Sequence, residues 1–202
     1  MIRHAKPLLL AAVAGLLGAC ASAPMHYYTL LPPAVAAAPD PAASLAFELL
    51  PVSVPPQVDQ PQLVVREGGQ SVALLEGERW IAPLADEVRG ALAADLVQEL
   101  PGRDVGGMAA GGKPVLQVRL DLRRFDSQPG SYALIDGTWS VRLLHGAAPA
   151  SLACGSRIRE AVGPGYDALV QGHQRALHAL AGQIAEAARA LAAGQPASCP
   201  AS

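Results

Sequence analysis

The stretch VLQVRLDLRRF, residues 115–125, decides the fold class because its apolar and polar residues alternate. Four apolar residues fall on one face and four polar residues on the other: Leu116, Val118, Leu120 and Leu122 against Gln117, Arg119, Asp121 and Arg123. Side chains alternate between the two faces of a strand, so this pattern predicts a strand with one buried and one wet face. Residues 132–144 and 152–162 alternate in the same way. The three runs together predict an antiparallel meander.

Two other stretches repeat their apolar residues at steps of three and four, which is the spacing of amphipathic helices. The first follows Pro83 and ends at Pro101 and Gly102. Its apolar positions are Leu84, Val88, Ala91, Leu92, Leu96 and Leu100. The second follows the turn GPG at 163–165 and continues to about residue 191. Its stripe contains Tyr166, Leu169, Val170, His173, Leu177, Leu180, Ile184, Ala188 and Leu191.

The region before the first helix contains shorter β-type runs. Residues 45–54 predict a strand broken by Pro51, and residues 63–66 and 71–76 predict a hairpin around EGG at 67–69. This order predicts an α+β fold, a two-layer sandwich with a mixed, mostly antiparallel sheet of about five to seven strands covered by two main helices. We expect a single domain over 45–194 and a C-terminal tail over 195–202.

The first 19 residues have the pattern of a lipoprotein signal peptide. They contain no acid, begin with a cationic patch and continue into an apolar run over residues 8–17, about half of the ~20 residues that span a bilayer as a helix. The lipobox Leu17, Gly18 and Ala19 precedes Cys20. We expect cleavage before Cys20 and attachment of lipid to that cysteine, the only cofactor-like group that the sequence predicts.

Residues 20–44 are rich in alanine and proline and predict a tether, interrupted by a short strand at 26–31 that returns to the domain. We expect the Ala/Pro-rich segment to set the reach of the anchored domain. Ala21, rather than an aspartate, follows the cysteine. This favours the periplasmic face of the outer membrane as the location.

The two remaining cysteines, Cys154 and Cys199, would face an oxidising compartment in an exported chain. That environment favours a disulfide between them, worth about 3–4 kcal/mol by the chain-entropy relation. The alternative is two unrelated thiols, one buried and one in the tail.

Several functional classes find no support in the sequence. Removal of Arg3 and Lys6 with the signal leaves 13 basic and 17 acidic residues, which argues against nucleic-acid binding. The glycine and lysine spacing of a phosphate loop at 107–113 ends on Pro114, which excludes that nucleotide motif. There is no Gly-x-Ser-x-Gly turn, and His173 and His178 are five apart, so we expect no enzyme and no metal. His173 is expected to be a core or interface residue.

Several motifs in order along the chain resemble the PqiC lipoprotein family, the auxiliary lipoproteins of ABC-type and paraquat-inducible intermembrane transport systems. They include YYTL at 27–30, RWIAPL at 79–84, the Gly-x-Trp ending at Trp139 and GYD at 165–167. The matching positions with an expected structural role are Tyr28, Arg79, Trp80, Pro83, Leu84, Trp139 and Tyr166.

The resemblance implies a non-enzymatic component that is anchored in the outer membrane and docks to periplasm-spanning proteins of the mammalian-cell-entry type. Such systems move phospholipid or other hydrophobic molecules between membranes, and a homo-oligomeric state stays open. Two alternatives remain. The domain is a carrier that encloses lipid, or it is a structural lipoprotein of another envelope assembly.

Overall fold

The computed structural model describes residues 24–33, 45–100, 102–108, 112–146 and 149–200. The signal peptide, the lipobox and Cys20 lie outside this part of the chain. The described elements, in chain order, are β1 (His26–Tyr28), β2 (Leu45–Leu49), β3 (Gln62–Gly68), β4 (Ser71–Trp80), α1 (Leu84–Glu99), β5 (Gly102–Asp104), β6 (Val115–Gln128), β7 (Tyr132–Leu144), β8 (Ala150–Ala161) and α2 (Tyr166–Ala192).

The larger sheet has the order β5-β2-β6-β7-β8. The three alternating runs form its antiparallel meander, as predicted, with Leu120 opposite Trp139 and Trp139 opposite Cys154. Strand β2 runs parallel to β6 on one side and to β5 on the other. Helix α2 packs across β7 and β8, and α1 packs against α2. The α+β sandwich is therefore confirmed.

The remaining strands form a second sheet with the order β1-β4-β3, so the strands divide between two sheets instead of one. Strands β3 and β4 are the predicted hairpin, and β1 pairs with β4 in parallel. Because β6 is paired with β2 on one side and with β7 on the other, the hairpin cannot pair with it. It packs beside β6 through contacts such as Arg66 with Asp126.

Strand β5 was not predicted, because Pro101 and Gly102 indicated only the end of a helix. A Cβ atom at Gly102 would collide with the carbonyl oxygen of Leu45. Glycine therefore permits the close approach that lets β5 pair beside β2. The predicted strand at 45–54 ends earlier, at Leu49, and residue 53 forms only an isolated bridge to Asp121.

The core lies between the larger sheet and the helices. Trp139 and Phe47 are its largest fully buried side chains, and most stripe leucines of both helices belong to the same buried cluster. Ala176, Ala181 and Ala185 are fully buried on α2. Their small side chains let α2 lie close to its neighbours. Within the described residues, no helix is long and apolar enough to cross a membrane.

Candidate functional site

The segment that follows the predicted lipid attachment site is built into the fold. Strand β1 pairs in parallel with the end of β4, and the Ile81 amide donates a hydrogen bond of 2.9 Å to the Tyr28 carbonyl. Residues 28–30 are then held by two acidic side chains, Glu78 and Glu87. We call Tyr28, Thr29, Leu30, Glu78 and Glu87 the N-terminal clamp.

Glu87 is the buried half of the clamp, with only 1% of the residue exposed. Its Oε2 atom accepts hydrogen bonds from Thr29 Oγ1 at 2.8 Å and from the Leu30 amide at 2.7 Å. A buried carboxylate needs such donors, and a buried amide needs such an acceptor. Glu87 therefore fixes the N-terminal segment to the first turn of α1.

Glu78 is the outer half of the clamp. Tyr28 donates its hydroxyl proton to Oε2 of Glu78 at 2.7 Å, and His26 Nδ1 lies 3.0 Å from Oε1. The hydrogen bond with His26, supported by that from Tyr28, holds the pKa of Glu78 below its usual value. Burial and the contact with Glu78 raise the pKa of Tyr28, so this hydroxyl stays protonated as a donor.

Sequence reasoning missed the function of Glu87, because an acid in the first turn of a helix is already explained by the helix dipole. A usable signal was present. Glu87 is three residues after Leu84 and four before Ala91, so it lies on the buried stripe of the helix. Its neighbour Asp86 lies off that stripe and is exposed.

Trp80, Phe125 and His173 form an aromatic cluster in the core. His173 is the histidine on the apolar stripe of α2. Trp80 meets Phe125 edge to face with ring centroids 6.1 Å apart, and Phe125 stacks on His173 at 3.8 Å. Ser127 Oγ lies 2.8 Å from His173 Nε2, but His173 is fully buried. Burial lowers the pKa of His173 to about 3. This neutral, enclosed Ser–His pair has no access to a substrate and belongs to the core.

The other motif positions of the predicted set lie at packing or capping sites. Trp139 is buried and its Nε1 donates to Ser156 Oγ at 2.8 Å. Pro83 stands directly before α1, where its carbonyl accepts the amide of Asp86, and Leu84 is buried. Two further positions are more open: Arg79 contacts Glu76, and Tyr166 begins α2 against the core.

Cys154 and Cys199 are joined by a disulfide in the structure, with Cα atoms 5.5 Å apart. Cys154 is buried on β8, whereas Cys199 belongs to the segment after α2. The link holds that segment against the edge strand of the larger sheet.

A cavity of about 490 Å³ lies where β2, β5, β6 and β7 approach the end of α2. Apolar side chains line much of it, among them Leu45, Leu116 and Leu143. Arg103 and Lys113 add two positive charges at the same place. No group of three or more potential metal-binding side chains occurs in the part of the chain that the structure describes.

The fold and the clamp together define a class of protein. It is a small α+β domain whose N-terminal segment forms a strand of the smaller sheet. The family model of the ABC-type transport auxiliary lipoprotein component matches residues 28–185. The chain belongs to this family of auxiliary lipoproteins of ABC-type transport.

Solved structures show the same fold. One uncharacterized protein is 20% identical, with a TM-score of 0.59, and the match covers 81% of this chain and 97% of that one. A Xanthomonas campestris protein of the family DUF330 is 19% identical, with a TM-score of 0.50 and coverage of 83% and 96%. No curated protein matches the chain.

Proposed function

We propose that the protein is a lipoprotein of the outer membrane, held on its periplasmic face by lipid on Cys20. There it docks to a mammalian-cell-entry-type protein that spans the periplasm. The system moves lipid or other hydrophobic molecules between the two membranes. The protein contributes a docking surface and no chemistry of its own.

The observation that carries this proposal is the N-terminal clamp. The chain enters the described structure at Pro24, four residues after Cys20, and is fixed to β4 and α1 by residue 30. The domain is therefore fixed to the chain within ten residues of the proposed anchor. An anchored docking component needs such a joint, because a presented surface must keep its orientation to meet a partner.

The same contacts change the expected function of the Ala/Pro-rich segment. Residues 34–44 follow the clamp and connect it to β2, so they do not separate the anchor from the domain. The reach is set instead by the few residues between Cys20 and Pro24. The anchor thus determines orientation more than distance.

The docking proposal is tested by site-specific photo-crosslinking in cells at exposed positions of the mature chain. We expect adducts that contain a mammalian-cell-entry-type protein, identified by mass spectrometry. Crosslinks that form only with another envelope assembly would contradict the docking proposal. They would support a structural role in that assembly instead.

The anchor is tested separately with radiolabelled fatty acid. The Cys20→Ser chain should incorporate none and should leave the membrane fraction. Ser22→Ala, a change in the same segment, is the matched control and should be labelled normally. Label that persists on the Cys20→Ser chain would overturn the anchor.

The cavity with Arg103 and Lys113 favours a second candidate, a carrier domain for an anionic lipid. Its volume of about 490 Å³ falls in the range of ~300–1,000 Å³ that ligand sites occupy. Native mass spectrometry of the Cys20→Ala chain decides between the two. A carrier retains about one lipid per chain and loses it in Arg103→Ala but not in Arg157→Ala, whereas a docking component carries none.

A further inference from the structure

Two cavities lie side by side at one end of the larger sheet. The first is the cavity of about 490 Å³ that Leu45, Leu116 and Leu143 line. The second has a volume of about 460 Å³ and lies between the end of β7 and the start of β8. Leu143 and Gly146 line both of them. We call the two cavities together the sheet-end groove.

The ionisable side chains that line the groove are all basic. Arg103 and Lys113 line the first cavity, and Arg142 and His145 line the second. All four are exposed. Among the residues that the structure describes, no acidic side chain lines either cavity. The groove is therefore a basic surface on a mature chain that has more acids than bases.

The rest of the chain adds little negative charge to this place. The stretches 109–111 and 147–148, which adjoin the groove and lie outside the described residues, contain only alanine and glycine. Residues 34–44, which lead to β2, contain one acid, Asp40.

The acids on the neighbouring strands are bound to other side chains. Asp104 of β5 lies 3.7 Å from Arg89, and Glu48 of β2 accepts a hydrogen bond from Gln117 at 3.0 Å. Other exposed arginines of the larger sheet have acidic partners, as in the pairs Arg119–Asp121 and Arg157–Asp136. Within the described part of the chain, the cations of the groove have no such partner.

These cations are spread across the sheet. Strands β5, β2, β6 and β7 are adjacent, and Arg103 and Arg142 lie on the same face of them. Neighbouring strands are about 4.8 Å apart, so three strand spacings separate the two Cα atoms by about 15 Å. An extended segment of about five residues spans this distance, whereas one compact lipid headgroup covers only part of it.

We propose that the sheet-end groove is the surface at which the protein docks to its partner, and that the docked part of the partner is an extended acidic segment with apolar side chains. This inference rests on the docking in the proposed function and adds the surface and the chemistry of the partner. The cations attract and orient acidic side chains. Burial of apolar side chains against Leu45 and Leu143 supplies affinity.

The experiment is photo-crosslinking in cells with the full lipidated chain. A photoreactive amino acid replaces Ser151, an exposed residue that lines the groove, or Gln171, an exposed control residue near the opposite end of β8. We expect an adduct with a mammalian-cell-entry-type protein that is at least about fivefold stronger at position 151 than at position 171.

Mass spectrometry of the adduct at position 151 identifies what occupies the groove. We expect a partner peptide that contains at least two acidic residues. A peptide with fewer acids, an adduct with lipid alone, or an adduct with a second copy of this chain would overturn the proposal.

Charge reversal on the far side of the groove tests whether one segment crosses it. Arg103→Glu should weaken the adduct at position 151 at least about fivefold, because a like charge then faces the acidic segment. Arg123→Glu is the matched control, since it reverses an exposed arginine of β6 outside the groove. Lysine in place of an acid of the crosslinked partner peptide should restore the adduct of Arg103→Glu. Equal adducts in the two variants would contradict the proposal.

Failure of the groove and failure of docking give different results. Partner adducts that are as strong at position 171 as at position 151, or that Arg103→Glu leaves unchanged, would retain docking and refute the groove. Absence of partner adducts at every exposed position would refute docking itself and the groove with it.

Discussion

Replacing Glu87 by glutamine tests the N-terminal clamp directly. The carboxylate accepts two hydrogen bonds, from Thr29 and from the Leu30 amide, in a site from which water is excluded. Glutamine keeps the shape but turns two bonds to a charged acceptor into neutral ones, a loss of about 1 kcal/mol each. We expect the free energy of unfolding to fall by about 2 kcal/mol.

The assay is urea unfolding of the mature chain with Cys20→Ala, combined with hydrogen exchange of peptides that cover residues 24–33. Asp86→Asn is the matched control, since it removes an exposed acid from the same helical turn at a cost of about 0.3–1 kcal/mol. Exchange in residues 24–33 should rise in Glu87→Gln only. Equal stability of the two variants, or unchanged exchange at the N-terminal segment, would refute the clamp.

Two further predictions concern the core and the tail. The unfolded chain protonates His173 near pH 6.5, but burial lowers the pKa of His173 in the folded chain to about 3, so acid favours unfolding. Between pH 7 and pH 4.5 this group should cost the fold about 2–3 kcal/mol, and that loss should be absent from His173→Gln in urea titrations. Cys199→Ser should lower the free energy of unfolding by about 3–4 kcal/mol, and dithiothreitol should then have no further effect; equal stability with and without the bond would contradict this.

The sequence predicted the parts of the fold that local periodicity encodes. Alternation in residues 115–125 identified β6, and the three- and four-residue steps identified both helices, because each pattern reports which face of one element is buried. Strand β5 escaped because three residues are too few to show a period. The division into two sheets escaped because pairing of β2 with β6 joins segments that are far apart in sequence.

The candidate site was harder to predict, because its contacts also join segments that are far apart in sequence. Tyr28 was marked by the family resemblance, but its partner Glu78 is 50 residues away and Glu87 is 57 residues from Leu30. No local pattern contains such a contact. Only the position of Glu87 on a buried stripe indicated that it needed hydrogen-bond donors from another segment.

The clamp also changes what an anchor contributes to docking. A domain on a long flexible tether samples many orientations, and a partner must restrict them at an entropic cost on binding. Here Leu30 is fully buried and its amide is bound by Glu87 of α1, while α1 packs on α2. The helix layer is therefore fixed to the N-terminal segment that the structure describes from Pro24 onward. If lipid holds Cys20, much of the orientational restriction precedes the arrival of the partner, and the docking surface can be effective with modest affinity.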